Sequence, residues 1–155
     1  GHIINTASMA GLLPTGEAAS YAATKHAVVG LSKTLRIEAA EYGVRVSVLC
    51  PGVIRTPILT TGKYGRWDLK PGSEQKAIEL WNRLRPMDVD AFARKVLRGV
   101  DRNLPMIIVP SWWKLFWWLE RLSPSLSLWI WSKVYTRYRA ELEPYRLPGY
   151  RLPRE

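Results

Sequence analysis

The apolar positions of this chain change rhythm several times, and each change marks an element. His2 to Thr6 is a short apolar run with β-branched residues, the pattern of a buried strand. Ala7-Ser8-Met9-Ala10-Gly11 leaves it through small residues, and Gly11 to Ala19 is loop, punctuated by Pro14 and Gly16. From Ser20 to about Tyr42 the period lengthens. Ala22, Ala23, Ala27, Val28, Leu31, Leu35 and Ala39 recur at helical spacing, with Ser20 as the expected cap and Gly43 as the residue that ends the helix. Gly30 inside it costs about 1 kcal/mol relative to Ala, and close approach of another helix or strand is the expected compensation. Val44 to Leu49 is again a continuous apolar run, rich in Val, which suits a parallel strand covered on both faces and stopped by Pro51-Gly52. Strand, helix and strand with short joints predict a right-handed βαβ unit.

Residues 58–72 carry Gly62, Gly65, Pro71 and Gly72 among Lys63, Arg66 and Lys70, and predict a loop. Ser73 to Arg85 reads as a helix capped by Ser73 and stopped by Pro86. Asp88 caps another, through Val89, Phe92, Val96, Leu97 and Val100, and Pro105 to Val109 is a last short strand. The character changes at Ser111. Trp112, Trp113, Trp117, Trp118, Trp129 and Trp131, six of the chain's eight tryptophans, are mixed with Leu and Phe and separated by Lys114, Arg121 and Lys133. Ser123 and Pro124 restart a helix, as cap and first helical residue. After Arg139 the chain turns polar and ends in the small repeat Tyr145-Arg146-Leu147-Pro148 and Tyr150-Arg151-Leu152-Pro153, an expected extended or disordered tail. Three segments follow: 1–110, an α/β unit with a parallel sheet; 111–140, a Trp-rich helical extension; and 141–155, the tail.

The net charge of +10 brings in anionic partners: nucleic acid, a phosphate-bearing cofactor or an acidic membrane surface. The basic residues are scattered and form no nucleic-acid-binding motif, so nucleic acid is set aside. The single cysteine, Cys50, excludes a disulfide within the chain and fits a reducing, cytoplasmic compartment. Its apolar surroundings make it a small core residue. No His, Cys or carboxylate set has metal-ligand spacing, and no metal is expected.

The candidate chemistry lies in the first sixty residues. Tyr21 and Lys25 are one helical turn apart and share a face. A phenol is a poor base at neutral pH, with an ordinary pKa of about 10, and a fixed cation beside it favours phenolate. Such a pair exchanges a proton with an alcohol or carbonyl oxygen. Ser8, at the carboxyl end of the first strand, is placed to donate a hydrogen bond to the same oxygen. Open parallel sheets bind ligands along that edge, where the segment beginning at Pro51 also lies. Tyr-x-x-x-Lys alone is common in helices. Its order and spacing with Ser8 and with Pro51-Gly52-Val53-Ile54-Arg55-Thr56 are far more specific.

Together these residues resemble the classical short-chain dehydrogenases/reductases. Ile3-Ile4-Asn5-Thr6-Ala7-Ser8-Met9-Ala10-Gly11 is similar to the strand and loop that deliver their catalytic serine, Tyr21-Ala22-Ala23-Thr24-Lys25 to their Tyr-x-x-x-Lys, and Pro51 to Thr56 to their nicotinamide-binding loop. The resemblance is firm over 1–57, fair to about 110 and faint beyond. It implies the C-terminal part of a doubly wound, Rossmann-like domain that uses NAD or NADP to interconvert an alcohol and a carbonyl, with an apolar substrate. By this resemblance Tyr21 is the general acid or base and Lys25 assists it and binds the nicotinamide ribose. Ser8 orients the substrate oxygen, the Ile54 backbone and Thr56 hydroxyl hold the carboxamide, and Pro51 and Gly52 shape the loop. Tyr21 and Lys25 thus serve both catalysis and cofactor binding. The family's Gly-rich phosphate turn, its Asn-Ala-Gly motif and its further catalytic Asn have no counterpart here, and Asn5 is not that Asn. Since the chain starts at the edge of a strand, a preceding segment is expected, and the 155-residue piece by itself is expected to be inactive.

Tyr64, Trp67 and Trp81 fall where the family carries substrate-binding segments, and Met9, Leu12 and Leu13 are expected to join that pocket. His26 is expected to be a structural or surface residue. The helix from Ser20 to Tyr42 is a usual subunit contact in the family, which implies a homo-oligomer for the complete protein. The Trp-rich segment suits peripheral membrane contact, with indole rings at headgroup level and basic residues meeting anionic lipid, or a helical pair covering the core. A non-catalytic, membrane-associated interaction protein that kept the fold is the alternative function. A nucleotide-sugar epimerase or dehydratase also uses Tyr-x-x-x-Lys, but the Pro51–Thr56 loop and the short region after it argue against one.

Overall fold

Strand β2 (Arg45–Pro51) forms the centre of a three-stranded parallel sheet in the order β1-β2-β3, between β1 (His2–Thr6) and β3 (Met106–Val109). The computed structural model describes residues 1–59 and 70–146. The first two strands pair from His2 against Arg45 to Thr6 against Leu49, and β2 meets β3 from Val48 against Met106 to Pro51 against Val109. The Val-rich run of β2 is buried on both faces from Val46 to Cys50. Its side chains alternate: Val48 and Cys50 join one core, Leu49 the other. Pro51 extends the strand by pairing with Val109 rather than stopping it. A proline is tolerated at a strand end, where one N–H fewer is needed. Burial pushes the Cys50 thiol up to about 12, so it is the inert core residue the sequence predicts.

Helix α1 (Ala19–Glu38) crosses from β1 to β2, continues as a 3-10 turn over Ala39–Tyr42, and closes at Gly43 with a left-handed φ of 65°. Its start differs from the expectation. Ala18 is the N-cap and supplies no side-chain bond, so Ser20 lies inside the first turn and caps nothing. Ser73 and Ser123 do stand at the caps of α2 (Glu74–Arg83) and α5 (Pro124–Leu142), again without a side-chain bond. Asp88 behaves as predicted, accepting a 2.9 Å bond from the Ala91 N–H at the head of α3 (Val89–Asp101). Arg36 ties α1 to the rest of the fold through Val46 O, Asn103 Oδ1 and Asn103 O.

One sheet face is covered by α3, whose Phe92, Val96 and Val100 meet Leu49, Ile107 and Val109. The other is covered by Val28 and Val29 of α1 together with α4 (Trp113–Leu122) and α5. Trp113 is buried among Val48, Cys50 and Ile108, and its ring lies parallel to Trp131 of α5, 5° apart in plane with centroids at 6.3 Å. Phe116 and Trp117 pack against the same cluster. Part of the tryptophan-rich segment is therefore core. Its outer side is not: Leu115, Trp118, Leu122 and Trp129 are 52–80% exposed.

Within this chain Ile3 and Ile4 of β1 are exposed, β2 being the strand that pairs with β1 among the described residues. Two expectations are corrected. Nothing lies within 4 Å of a Cβ built on Gly30, so no close approach explains that glycine. It borders an open groove with Lys33, Trp117 and Arg121. Met9 and Leu13 are 4% and 3% exposed and belong to the core cluster rather than to a substrate pocket.

Candidate functional site

At the carboxyl end of β1 the chain passes Ala7, whose N–H bonds Leu49 O at 2.8 Å, and turns into a 3-10 helix over Met9–Gly11. Ser8 caps that turn. Its Oγ accepts a 3.1 Å bond from the Ala10 N–H. This uses an oxygen lone pair and leaves the hydroxyl proton to donate elsewhere. Gly11 presses the turn onto α1: a Cβ there would stand 2.6 Å from the Lys25 carbonyl oxygen. Any larger residue would drive the serine-bearing turn away from the helix that carries Tyr21 and Lys25. The sequence places Gly11 among the small residues that leave β1, and its contact with α1 joins two elements that no local pattern relates.

Tyr21 lies in the first turn of α1 and is 47% exposed. One turn on, Lys25 donates from Nζ to Thr6 O at 3.1 Å, and the same nitrogen lies 5.5 Å from the Tyr21 ring centroid. That distance is within cation–π range. The ammonium thus bridges the end of β1 and the phenol. Among the described residues no hydrogen bond joins Ser8 to the Tyr21 hydroxyl. What unites them is the shared edge of the sheet and the seating of the Ser8 turn on α1. His26, the neighbour of Lys25, is exposed and bonds Ala22 O at 2.9 Å through Nδ1, a structural contact within its own helix.

Pro51 to Thr56 leave β2 along the same edge. Gly52 N–H donates to Val109 O at 2.8 Å, and the segment then runs beside Met87, with Arg55 N–H to Met87 O at 2.8 Å and Met87 N–H to Val53 O at 3.0 Å. Those bonds occupy the neighbours of Ile54 and fix its backbone in an extended line. Gly52 is needed for its size, because a Cβ would overlap the Trp113 indole. Trp113 therefore forms the floor of this loop, a role the sequence hid across a long separation. Among the described residues no hydrogen bond runs from Pro51–Thr56 to Ser8 or Tyr21. Tyr64 and Trp67 lie outside the described residues, as does the tail from 147.

The family model described as short chain dehydrogenase matches residues 1–65. Levodione reductase of Leifsonia aquatica is 36% identical over 86 residues, 56% of this chain and 31% of that protein. The dehydrogenase/reductase SDR family protein 7-like of Drosophila melanogaster is 32% identical over 134 residues, 86% of this chain and 39% of its own length. The crystal structure of a short chain dehydrogenase/reductase from Burkholderia phymatum in complex with NAD matches with a TM-score of 0.62 and 27% identity, over 81% of this chain and 48% of that one. This likeness bears out the expected α/β, Rossmann-like class. The chain spans well under half the length of the curated relatives it matches. With these matches and the parallel sheet that carries them, the chain belongs to the short-chain dehydrogenase/reductase family.

Proposed function

We propose that the full-length protein is an NAD- or NADP-dependent oxidoreductase that interconverts an alcohol and a carbonyl on an apolar small molecule. The observation that carries this reading is the Lys25 ammonium held between Thr6 O and the Tyr21 ring at the carboxyl edge of the sheet. Tyr21 transfers the proton at the substrate oxygen. Lys25 stabilises the negative charge that develops on the phenol oxygen during that transfer. Ser8, with its proton free to donate, holds the substrate oxygen in place. Lys25, Tyr21 and the Pro51, Gly52, Ile54 and Thr56 segment are the residues suited to hold the nicotinamide half of the dinucleotide. The dinucleotide supplies or accepts the hydride. The relatives' names support the class: one is a levodione reductase, and the Burkholderia phymatum structure is a complex with NAD. Reduced nicotinamide consumption by the full-length protein against a panel of apolar ketones tests it. Failure with every ketone, and with the matching alcohols in reverse, would sink it. A homo-oligomer paired through α1 accords with the exposure of Leu31 and Ile37 on that helix.

A second reading concerns where the protein works, and rests on the outer side of α4 and α5. Leu115, Trp118 and Leu122 share one exposed helix face, and Leu126 and Trp129 are exposed at the start of α5. Residues 111–140 hold Lys114, Arg121, Lys133, Arg137 and Arg139 against one acid, Glu120. Apolar side chains flanked by cations match an anionic bilayer surface in both respects. No helix among the described residues is long and apolar enough to cross a membrane, so the contact would be peripheral. The protein is expected to co-sediment with phosphatidylserine-containing vesicles and to lose at least about tenfold in partitioning with Trp118→Ser and Trp129→Ser. Equal sedimentation of the wild type with and without vesicles, or of the wild type and the double variant, would rule this out.

A further inference from the structure

The loop that leads into Tyr21 is held from the far end of the chain. Glu17 has a φ of 59°, a left-handed backbone that an L side chain keeps only when its surroundings impose it. Its carboxylate accepts from Arg146 Nη2 on both oxygens at 2.5 Å, and from the Tyr135 hydroxyl at 3.3 Å. The Arg146 and Glu17 side chains are 12% and 26% exposed, so the pair lies at the surface but is partly covered by its neighbours. Beside it the Tyr135 ring fills the space over Gly16, where any Cβ would overlap it. The same turn also reaches the other way. Lys70 bonds Tyr145 O through its N–H and Pro144 O through Nζ, both at 2.8 Å, and Arg83 of α2 bonds Glu141 at 2.8 Å.

We propose that residues 141–146 act as a positioning strap for the reaction centre. Arg146, through Glu17, fixes the loop between Ser8 and Tyr21 and with it the first turn of α1, while Lys70 and Arg83 anchor the α2 segment to the same strap. Arg146 and Glu17 are positioning residues, since neither is assigned a contact with substrate or cofactor. The catalytic half of this inference rests on the reading of Ser8, Tyr21 and Lys25 given above; the mechanical half does not.

Hydrogen exchange and kinetics on the full-length protein test the two halves separately. Arg146→Ala is expected to speed amide exchange over residues 16–22 about tenfold, while the β2 amides keep their protection and report an intact fold. The kcat is expected to fall about tenfold with the cofactor KM unchanged. The reversed pair, Glu17→Arg with Arg146→Glu, should restore both. Unchanged exchange over 16–22 in Arg146→Ala would overturn the strap. So would failure of the reversed pair to restore protection while β2 stays protected. Faster exchange with unaltered kcat would overturn its positioning role. A wild-type protein without turnover would count against the oxidoreductase reading, and the exchange data would still decide the strap.

Discussion

Tyr21→Phe in the full-length protein is expected to lower kcat by about a thousandfold, in the range assigned to general acid–base catalysis. The substitution removes one hydroxyl and keeps the ring. Tyr21 is 47% exposed and lies on the outer side of the first turn of α1, so its hydroxyl holds up no core. The Lys25 ammonium 5.5 Å from the ring centroid keeps its aromatic neighbour, and its bond to Thr6 O is untouched. Thermal stability should therefore stay close to wild type while turnover collapses. That separation of effects marks a group used for proton transfer rather than for architecture. Retention of a tenth or more of the wild-type kcat would remove Tyr21 from its proposed role and favour the alternative of a non-catalytic relative.

What the sequence made legible follows the range of the interactions involved. The pattern Ser8, Tyr21, Lys25 and Pro51–Thr56 could be read because each piece depends on local spacing: one helical turn, or the residues just after a strand. Continuous apolar runs placed the three strands, and helical spacing and capping residues placed the α-helices, within a few residues among those described, while the 3-10 turns went unforeseen. The failures were failures of neighbourhood. Met9 and Leu13 were assigned to a pocket because they stand near Ser8 in sequence, yet a 3-10 turn swings them into the core. The bond from Arg146 to Glu17 spans 129 residues and no local pattern announces it. The tryptophan-rich segment posed a choice between core and outer surface that composition cannot make, and the helices divide it: Trp113 and Trp131 inward, Trp118 and Trp129 outward.

Trp113 is where that division bears on the site, and Trp113→Ala is expected to cost about 3–5 kcal/mol of stability, as for other buried aromatic truncations. The ring is 5% exposed and stacked between Trp112, at a centroid distance of 4.5 Å, and Trp131, at 6.3 Å. Its removal leaves a cavity against Val48, Cys50 and Ile108 that two strands and two helices cannot collapse to fill. Trp113→Phe should cost much less. The indole Nε1 has no hydrogen-bond partner, so phenylalanine gives up volume but breaks no polar contact. The cavity also opens beneath Gly52, which the indole touches, and so beneath the segment from Pro51 to Thr56. Val46→Ala supplies the comparison, being fully buried in the same strand but toward its amino end. Urea denaturation should rank the variants Trp113→Ala below Val46→Ala below Trp113→Phe or near it. In the full-length protein, dinucleotide affinity should fall for Trp113→Ala and hold for Val46→Ala. Equal affinity in the two would mean that Trp113 supports the fold alone. A selective loss would mean that the tryptophan-rich segment, faint in its family resemblance, forms the floor of the nicotinamide loop.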